Sequence, residues 1–495
     1  MRHSLPSCHR HSDHVAKMIV TPDGESPNVT VGTPSTMRRD LVSAYVASVS
    51  RIGSWVIVSA LVYRFVGAPQ FAMLALVRGT IGLLNYSSLG LAPALIHLAA
   101  RIRSELAPAI PISGAEGTRV ISHRMPPDIN EEPLRALYAN ALLLAFRTGC
   151  VGILLSALYA MAFEHLYLVP QQLQGEMAFI VLPIGIGTIL RLAGDAPGGM
   201  LQVRGRIALD NQIQAGGDVL WGGLIALSFA GSNGKVDRVE TLVFIAMLYA
   251  LSGAAALMAR FLAAGRQTGI YWPRQRSIRR HITKALLAYG TLVALAQLAD
   301  YLYSPTDYIL IARLLSTIDI ANYAPAVQID SGLLLVMSGL AAVLLPKAAL
   351  AYSEGSTQTL RRYYVRGTFV SAGLLLIAAF AVWAVSPWLF KIWFGNSMPG
   401  TRAILPLVLA NTVIGGSGAV GRSILIAVGK AKAFAISVLV AGAVNVVCSY
   451  LFVRHLHWGL NGIVLGTVVA VVGRCVIWMP WYIYHCFFAP SPLKT

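Results

Sequence analysis

Charge is what this chain has least of: only 12% of its 495 residues are Asp, Glu, Lys or Arg, against about 25% in soluble domains. That scarcity excludes a soluble fold. Acidic residues are rarer still, 21 against 39 Lys and Arg, and none follows Glu354. Any carboxylate-based ion coupling is therefore expected in the earlier helices. The five cysteines, Cys8, Cys150, Cys448, Cys475 and Cys486, are odd in number and scattered, with no CxxC spacing, which argues against a disulfide framework or a zinc site. No GxxxxGK[ST] phosphate loop occurs, nor a DxD motif with a sizeable polar insertion to carry catalysis. A non-enzyme without a cofactor is expected.

The first 39 residues lack the apolar core of a signal peptide and are rich in Pro, Ser and His. They read as a disordered cytoplasmic tail. Within it His9, His11 and His14, with Cys8 and Asp13, offer metal-binding chemistry, although a solvated tail explains them more simply. The Asn28-Val29-Thr30 sequon carries no information in a tail that stays in the cytoplasm.

What the chain does have is apolar length. Hydrophobic residues make up 56%, and mean hydropathy is +0.65. A membrane-spanning helix needs roughly 20 apolar residues, and only helices or closed barrels satisfy their backbone polar groups in hydrocarbon. The runs here are of helix length and do not alternate over about ten residues as barrel strands do. They predict spans at 40–64, 70–99, 134–160, 177–200, 213–231, 240–262, 285–312, 319–345, 366–386, 402–427, 432–454 and 460–487. The expected fold is an all-α polytopic membrane protein with about 12 transmembrane helices in two six-helix lobes around a central cavity.

The net charge of +18 follows the same plan. Basic residues punctuate the apolar segments, concentrating in those that an N-in, C-in topology places in the cytoplasm, as the positive-inside rule requires. No nucleic-acid partner is expected, because no soluble basic face exists to bind one. The domains expected are a tail over 1–39, an N-terminal lobe over 40–262 with a Pro-rich cytoplasmic loop at 100–135, a basic linker over 263–284 and a C-terminal lobe over 285–488. The linker run Arg274-Gln-Arg276-Ser-Ile-Arg279-Arg280 serves topology, or attracts anionic lipid headgroups. The lobes resemble an internal repeat: Phe71-Ala-Met-Leu-Ala-Leu-Val-Arg78 aligns with Tyr323-Ala-Pro-Ala-Val-Gln-Ile-Asp330, and Gly205-Arg206 with Gly429-Lys430. Two repeated lobes with a site between them is a transporter plan.

Ionisable residues inside the spans point to that site. Arg51, Arg78, Arg147, Arg191, Arg422 and Arg474, with Asp195, Asp218, Asp300, Asp307 and Asp330, fall within apolar segments. Each costs roughly 2.5–3.5 kcal/mol at mid-bilayer unless it faces water or a partner. Arg suits phosphate, because its planar fork forms two parallel charge-assisted hydrogen bonds and stays protonated when desolvated. Arg51, Arg78, Arg147, Arg191 and Arg422 are the candidate cationic cavity for an anionic cargo. The plainer alternatives are pairing with an Asp, as Arg191 with Asp195 four residues on, or snorkelling to the interface. Asp300, Asp307 and Asp330 are candidates for ion coupling or for a gate, Pro305 beside them freeing a backbone carbonyl; Asp330 aligns with Arg78 and is a candidate gate partner for it. Close-spaced small residues such as Gly185, Gly187 and Gly415-Gly416-Ser417-Gly418 suit tight helix packing or bending.

The stretch Phe71 to Arg101, with Tyr86-Ser-Ser-Leu-Gly90-Leu-Ala-Pro-Ala and Ala99-Ala100-Arg101, resembles the O-antigen and polysaccharide flippases of the multidrug, oligosaccharidyl-lipid and polysaccharide exporter superfamily. So does Asp307-Tyr-Ile-Leu-Ile-Ala-Arg313 through Asn322-Tyr323-Ala to Leu345-Pro346 and Tyr352. The resemblance covers about residues 38–488, in diffuse motifs. It implies two six-helix bundles around a V-shaped cavity, alternating access, and a polyprenyl-pyrophosphate-linked oligosaccharide as cargo for cell-surface polysaccharide or lipopolysaccharide synthesis. A bacterial-type inner membrane is implied, with membrane lipids and other polysaccharide-assembly membrane proteins as further candidate partners. The long 100–135 loop and the His-rich tail depart from the pattern. Competing expectations are an ion-coupled drug or metabolite exporter of the same superfamily, a polytopic polymerase or glycosyltransferase, and the membrane subunit of an ATP-driven exporter.

Overall fold

The computed structural model describes residues 34–82, 90–106, 132–231, 238–271, 278–301 and 304–487. The His-rich cluster, most of the 100–135 loop, Tyr86 and its neighbours, Arg274, Arg276 and the side chain of Asp300 lie outside the described residues.

The described residues form helices and their connections, with no strand among them. In chain order the helices are α1 (Pro34–Leu61), α2 (Ala68–Ile81), α3 (Leu91–Leu106), α4 (Glu132–Leu166), α5 (Met177–Ala193), α6 (Asp195–Val203), α7 (Ile207–Gly231) and α8 (Arg238–Thr268). They continue as α9 (Arg280–Tyr301), α10 (Ser304–Leu314), α11 (Thr317–Ser353), α12 (Thr357–Phe394), α13 (Pro399–Ala427), α14 (Ala431–Arg454), α15 (Gly459–Val472) and α16 (Met479–Phe487). Wide π turns extend α1 over Val62–Val66 and join α15 to α16 over Gly473–Trp478. Nine described segments are long and apolar enough to cross a membrane. The pairs α2–α3 and α9–α10, with the 37-residue α11, fall at the three other expected spans, 70–99, 285–312 and 319–345.

Local chemistry sets the breaks. Gly67, at φ 128°, permits the turn that Pro69 then opens into α2. Gly194 separates α5 from α6, so the expected continuous span 177–200 is two helices in line. Pro305 falls in the first turn of α10, where its missing N–H costs nothing. Ser316 caps α11 through a reciprocal capping box with Asp319. Helix α1 starts at Pro34, six residues before the first span was expected to begin, and α8 and α9 reach to Thr268 and from Arg280, which shortens the expected linker.

The two repeat-aligned turns are the same turn. Arg206 N–H donates to Leu201 O at 2.8 Å and Lys430 N–H to Leu425 O at 2.8 Å, with Gly205 and Gly429 at φ 71° and 76°. This is the 6→1 helix stop that wants glycine in the left-handed region. Packing is close where glycines meet: a Cβ on Gly253 would stand 2.8 Å from the carbonyl oxygen of Gly187, drawing α8 onto α5. Helix α2 packs mainly on α10 and α11, from the second half of the chain, rather than on its sequence neighbours. One end of the bundle, carrying Gly67 and Gly395, is closed by contacts between α1 and α12. Arg64 donates to the carbonyl of Ile392, Trp393 Nε1 donates to Val56 O at 2.9 Å, and Asn396 Nδ2 donates to the Tyr63 hydroxyl at 3.0 Å.

Candidate functional site

Away from that closed end, five helices turn side chains toward one space. On α1, Arg51, Trp55 and Ser59 recur every four residues. On α7, Asp210, Gln214, Asp218 and Trp221 do the same, and on α8 so do Tyr249, Ser252, Ala256 and Arg260. Spacing of three or four places them on one side of each helix. Thr188 and Arg191 come from the end of α5, and Arg78 from the end of α2.

Two adjoining cavities result, of about 380 and 340 Å³, which share Trp55, Arg78 and Gly82. The smaller is lined by Arg51, Arg78, Arg191 and Arg260 with Asp195 and Asp218. The larger reaches Tyr308, Val327, Gln328 and Ser331, so residues from both halves of the chain wall it.

Asp218 organises the smaller cavity. Arg191 donates through Nη1 to its Oδ1 at 2.5 Å, and Arg51 Nε stands 3.6 Å from its Oδ2. Arg191 also donates to Ser252 Oγ at 2.8 Å and lies over the Tyr249 ring at 4.7 Å; Arg51 donates to Gln214 Oε1 at 2.8 Å. The Arg51 side chain keeps 56% of its surface exposed, that of Asp218 only 4%. The guanidinium of Arg78 sits over the Trp55 ring at 4.2 Å, a cation–π contact that holds it without spending its hydrogen-bond donors. No carboxylate among the described residues pairs with Arg78, which is half-buried. It presents donors to a space walled by both halves. Deeper in, Arg260 and Asp210 form a buried ion pair at 2.8 Å, and Gln202 donates to the same carboxylate at 2.9 Å.

The structure thus brings Arg51, Arg78 and Arg191 together and leaves two expected members apart. Arg147 is exposed on α4 beside Phe146, and it lines neither cavity. Arg422 lies over the Phe434 ring at 5.6 Å, with Arg474 at 5.9 Å from the same ring, away from both cavities. Arg191 takes Asp218 as an ion-pair partner from α7. No ion pair joins Arg78 and Asp330 among the described residues; Asp330 accepts a hydrogen bond from Thr412 Oγ1 of α13 at 2.5 Å. Asp307 is buried in a network of neutral partners on α11, α14 and α15.

Asp210 went unrecognised in the sequence because it lies between the expected spans 177–200 and 213–231, and Arg260 because it sits in the last residues of the expected span 240–262. Their positions four residues from Ala256 and Gln214, continuing the polar faces of α8 and α7, were the available signal.

Residues 293–451 match the MatE family model. A curated protein of Bacillus subtilis (strain 168) named "Uncharacterized membrane protein EpsK" is 23% identical over 351 residues, 70% of this chain and 68% of its own. Among solved structures, the inward-facing conformation of a multidrug resistance MATE family transporter of the MOP superfamily superposes with a TM-score of 0.63. It is 16% identical, and the match covers 94% of this chain and 98% of that one. The outward-facing conformation gives 0.57 at 16% identity, over 92% and 97%. The fold is that of the MATE transporters: a multi-pass helical membrane protein of two lobes.

Proposed function

We propose that this MATE-fold chain is a flippase, moving a lipid-linked saccharide with an anionic pyrophosphate headgroup across a cell membrane by alternating access. The observation that carries the reading is Arg78. Its guanidinium is held by an aromatic face, has no carboxylate partner among the described residues, and points into a cavity walled by both halves. Arg51 and Arg191 flank it, giving three forks suited to phosphate oxygens. The headgroup enters this cationic space while the lipid tail stays in the bilayer. Lobe movement transfers it, provided the two states hold it with unequal affinity. The N-in, C-in topology and inner-membrane location belong to the same reading.

The test is protein-dependent flipping of a labelled polyprenyl-pyrophosphate saccharide in proteoliposomes. Arg78→Ala is expected to lower the rate by at least about tenfold, a loss of about 1.4 kcal/mol of headgroup interaction, with the folded yield unchanged. Unaltered flipping in Arg78→Ala sinks the anionic-headgroup mechanism.

A second reading, export of a hydrophobic cation, rests on Trp55, Tyr249 and Tyr308 lining the same cavities beside Asp218. Aromatic faces attract cations, and the solved structures of this fold include multidrug transporters. Export of such a cation with no flipping of any saccharide tried would decide for it.

A further inference from the structure

The last spans carry a groove of about 470 Å³ that shares no residue with either cargo cavity. It runs between α14 and the segment from α15 to α16. Ala433, Ser437 and Ala441 recur every fourth residue on α14, so small side chains make one stripe of its surface. Ala470 and Gly473 line the groove from the other segment. Ile436, Val440 and Val469 rise beside this small-residue floor with 51%, 59% and 43% of their surface exposed. An apolar furrow open along its outer side, on a segment that spans a membrane, faces lipid.

One end of the furrow is cationic. Gly473 begins the wide π turn in which Met479 N–H donates to the carbonyl of Arg474, five residues back. Such turns recur at functional sites, and this one carries Arg474, the one charged side chain among the described residues that line the groove. Its guanidinium lies 5.9 Å from the Phe434 ring, and that of Arg422 lies 5.6 Å from the same ring. Phe434 belongs to the first turn of α14, which opens with Lys430 and Lys432. The positive end of the α14 dipole points the same way. Trp478 and Tyr482 pack in one cluster with Phe434 and stack on each other at 5.0 Å, an aromatic pair of the kind that marks a membrane interface. From this end the lining continues on α14 to Val444. At 1.5 Å per residue, Ala433 and Val444 are about 17 Å apart along the helix, close to half of a hydrocarbon core about 30 Å thick.

We propose that this groove binds an anionic phospholipid of the bilayer, with one acyl chain over Ser437, Ala441 and Ala470 and the phosphate held at the Phe434 end by Arg474 and Arg422. Its length is that of a chain in one leaflet. Its charge selects the headgroup: guanidinium forks bind phosphate oxygens, whereas a zwitterionic lipid brings its own cation to the same place, where like charge is penalised. A cargo headgroup at Arg78 touches none of these residues, so the site goes beyond the cargo reading and stands without it. A lipid seated there joins α14 to the π turn and, binding only the folded protein, stabilises it.

The groove can be filled without disturbing the protein around it, because a Cβ on Gly473 would meet nothing within 4 Å. The test is native mass spectrometry of the delipidated full-length protein, titrated with dioleoyl phosphatidylglycerol or dioleoyl phosphatidylcholine and no cargo. Phosphatidylglycerol is expected to bind at least about tenfold more tightly than phosphatidylcholine and to raise the thermal midpoint. Arg474→Gln should reduce that preference to about twofold or less, and Gly473→Leu should weaken phosphatidylglycerol binding at least about fivefold. Equal affinity for the two lipids, an unchanged preference in Arg474→Gln, or unaltered binding in Gly473→Leu each overturns the proposal. Should Arg474→Gln fail to fold, Arg422→Gln tests the same headgroup contact, and an undiminished preference there overturns it. Displacement of phosphatidylglycerol by an equal concentration of polyprenyl phosphate would assign the groove to the cargo's tail, and dimers formed on removing lipid would assign it to a second copy of the chain; either overturns the phospholipid site.

Discussion

Asp218 stands where the proposed headgroup would bring its charge. Its carboxylate pairs with Arg191 and Arg51, a resident anion beside both guanidinium groups. On the proposed function, an arriving pyrophosphate would compete with it for the same donors. Asp218→Asn is therefore expected to raise the affinity of a soluble pyrophosphate analogue several-fold, measured by calorimetry on detergent-solubilised protein. A drop in affinity would mean that Asp218 positions the arginines rather than competing for them. At this scale the sequence pointed to three of the side chains that line the cavities. Arg within a span is expensive, so Arg51, Arg78 and Arg191 announced themselves, yet Arg147 and Arg422 met the same criterion and line neither cavity. Cost alone does not tell which way a side chain points; the four-residue spacing of polar partners on one helix face does.

Among the elements, hydropathy found the apolar middles of the helices and missed their ends. The expected span 366–386 is the centre of α12, Thr357–Phe394, whose outer turns carry Arg361, Arg362 and Lys391. Charged turns continue a helix into the interface without adding to its apolar run. Breaks inside spans were likewise hidden, as at Gly194, because a break between two apolar helices leaves hydropathy unchanged. The small residues in these spans do have the packing role expected of them. A Cβ on Gly187 would stand 2.7 Å from Tyr249 Cδ1 and 3.0 Å from Ala250 Cα, whereas one on Gly216 would meet nothing within 4 Å. Gly187→Leu is expected to destabilise by about 1–3 kcal/mol through overpacking, and Gly216→Leu by far less, read as thermal midpoints in one detergent. Equal midpoints would show that α5 and α8 can separate at no cost.

For the whole molecule, what matters is which end is shut. Tyr63 on the π turn after α1 and Asn396 beyond α12 meet at the closed end, 333 positions apart. Cysteines at both positions, in a background with Cys8, Cys150, Cys448, Cys475 and Cys486 replaced, should be joined by a short, reducible bifunctional thiol reagent, because the contact runs through the length of the Tyr63 side chain and is too long for a direct disulfide. Flipping should stop in the cross-linked protein and return on reduction. Flipping that persists with the bridge formed would mean that transport does not require this end to open. The two-lobe plan was legible from the count of apolar segments and the asymmetry of Lys and Arg. The α1–α12 closure was not, because its partners are far apart in the chain and two of its three hydrogen bonds end on main-chain carbonyls, which no side-chain pattern records.

Those carbonyls have a consequence for how this end can drift over generations. Ile392 and Val56 supply their acceptors from the backbone, so almost any residue replacing them would still receive Arg64 and Trp393. Only the donor side of each contact is answerable to selection. The Tyr63–Asn396 contact, side chain to side chain, binds two positions to each other's fate. Among descendants of this sequence, paired changes at the closed end should gather at 63 and 396, while 56 and 392 vary alone.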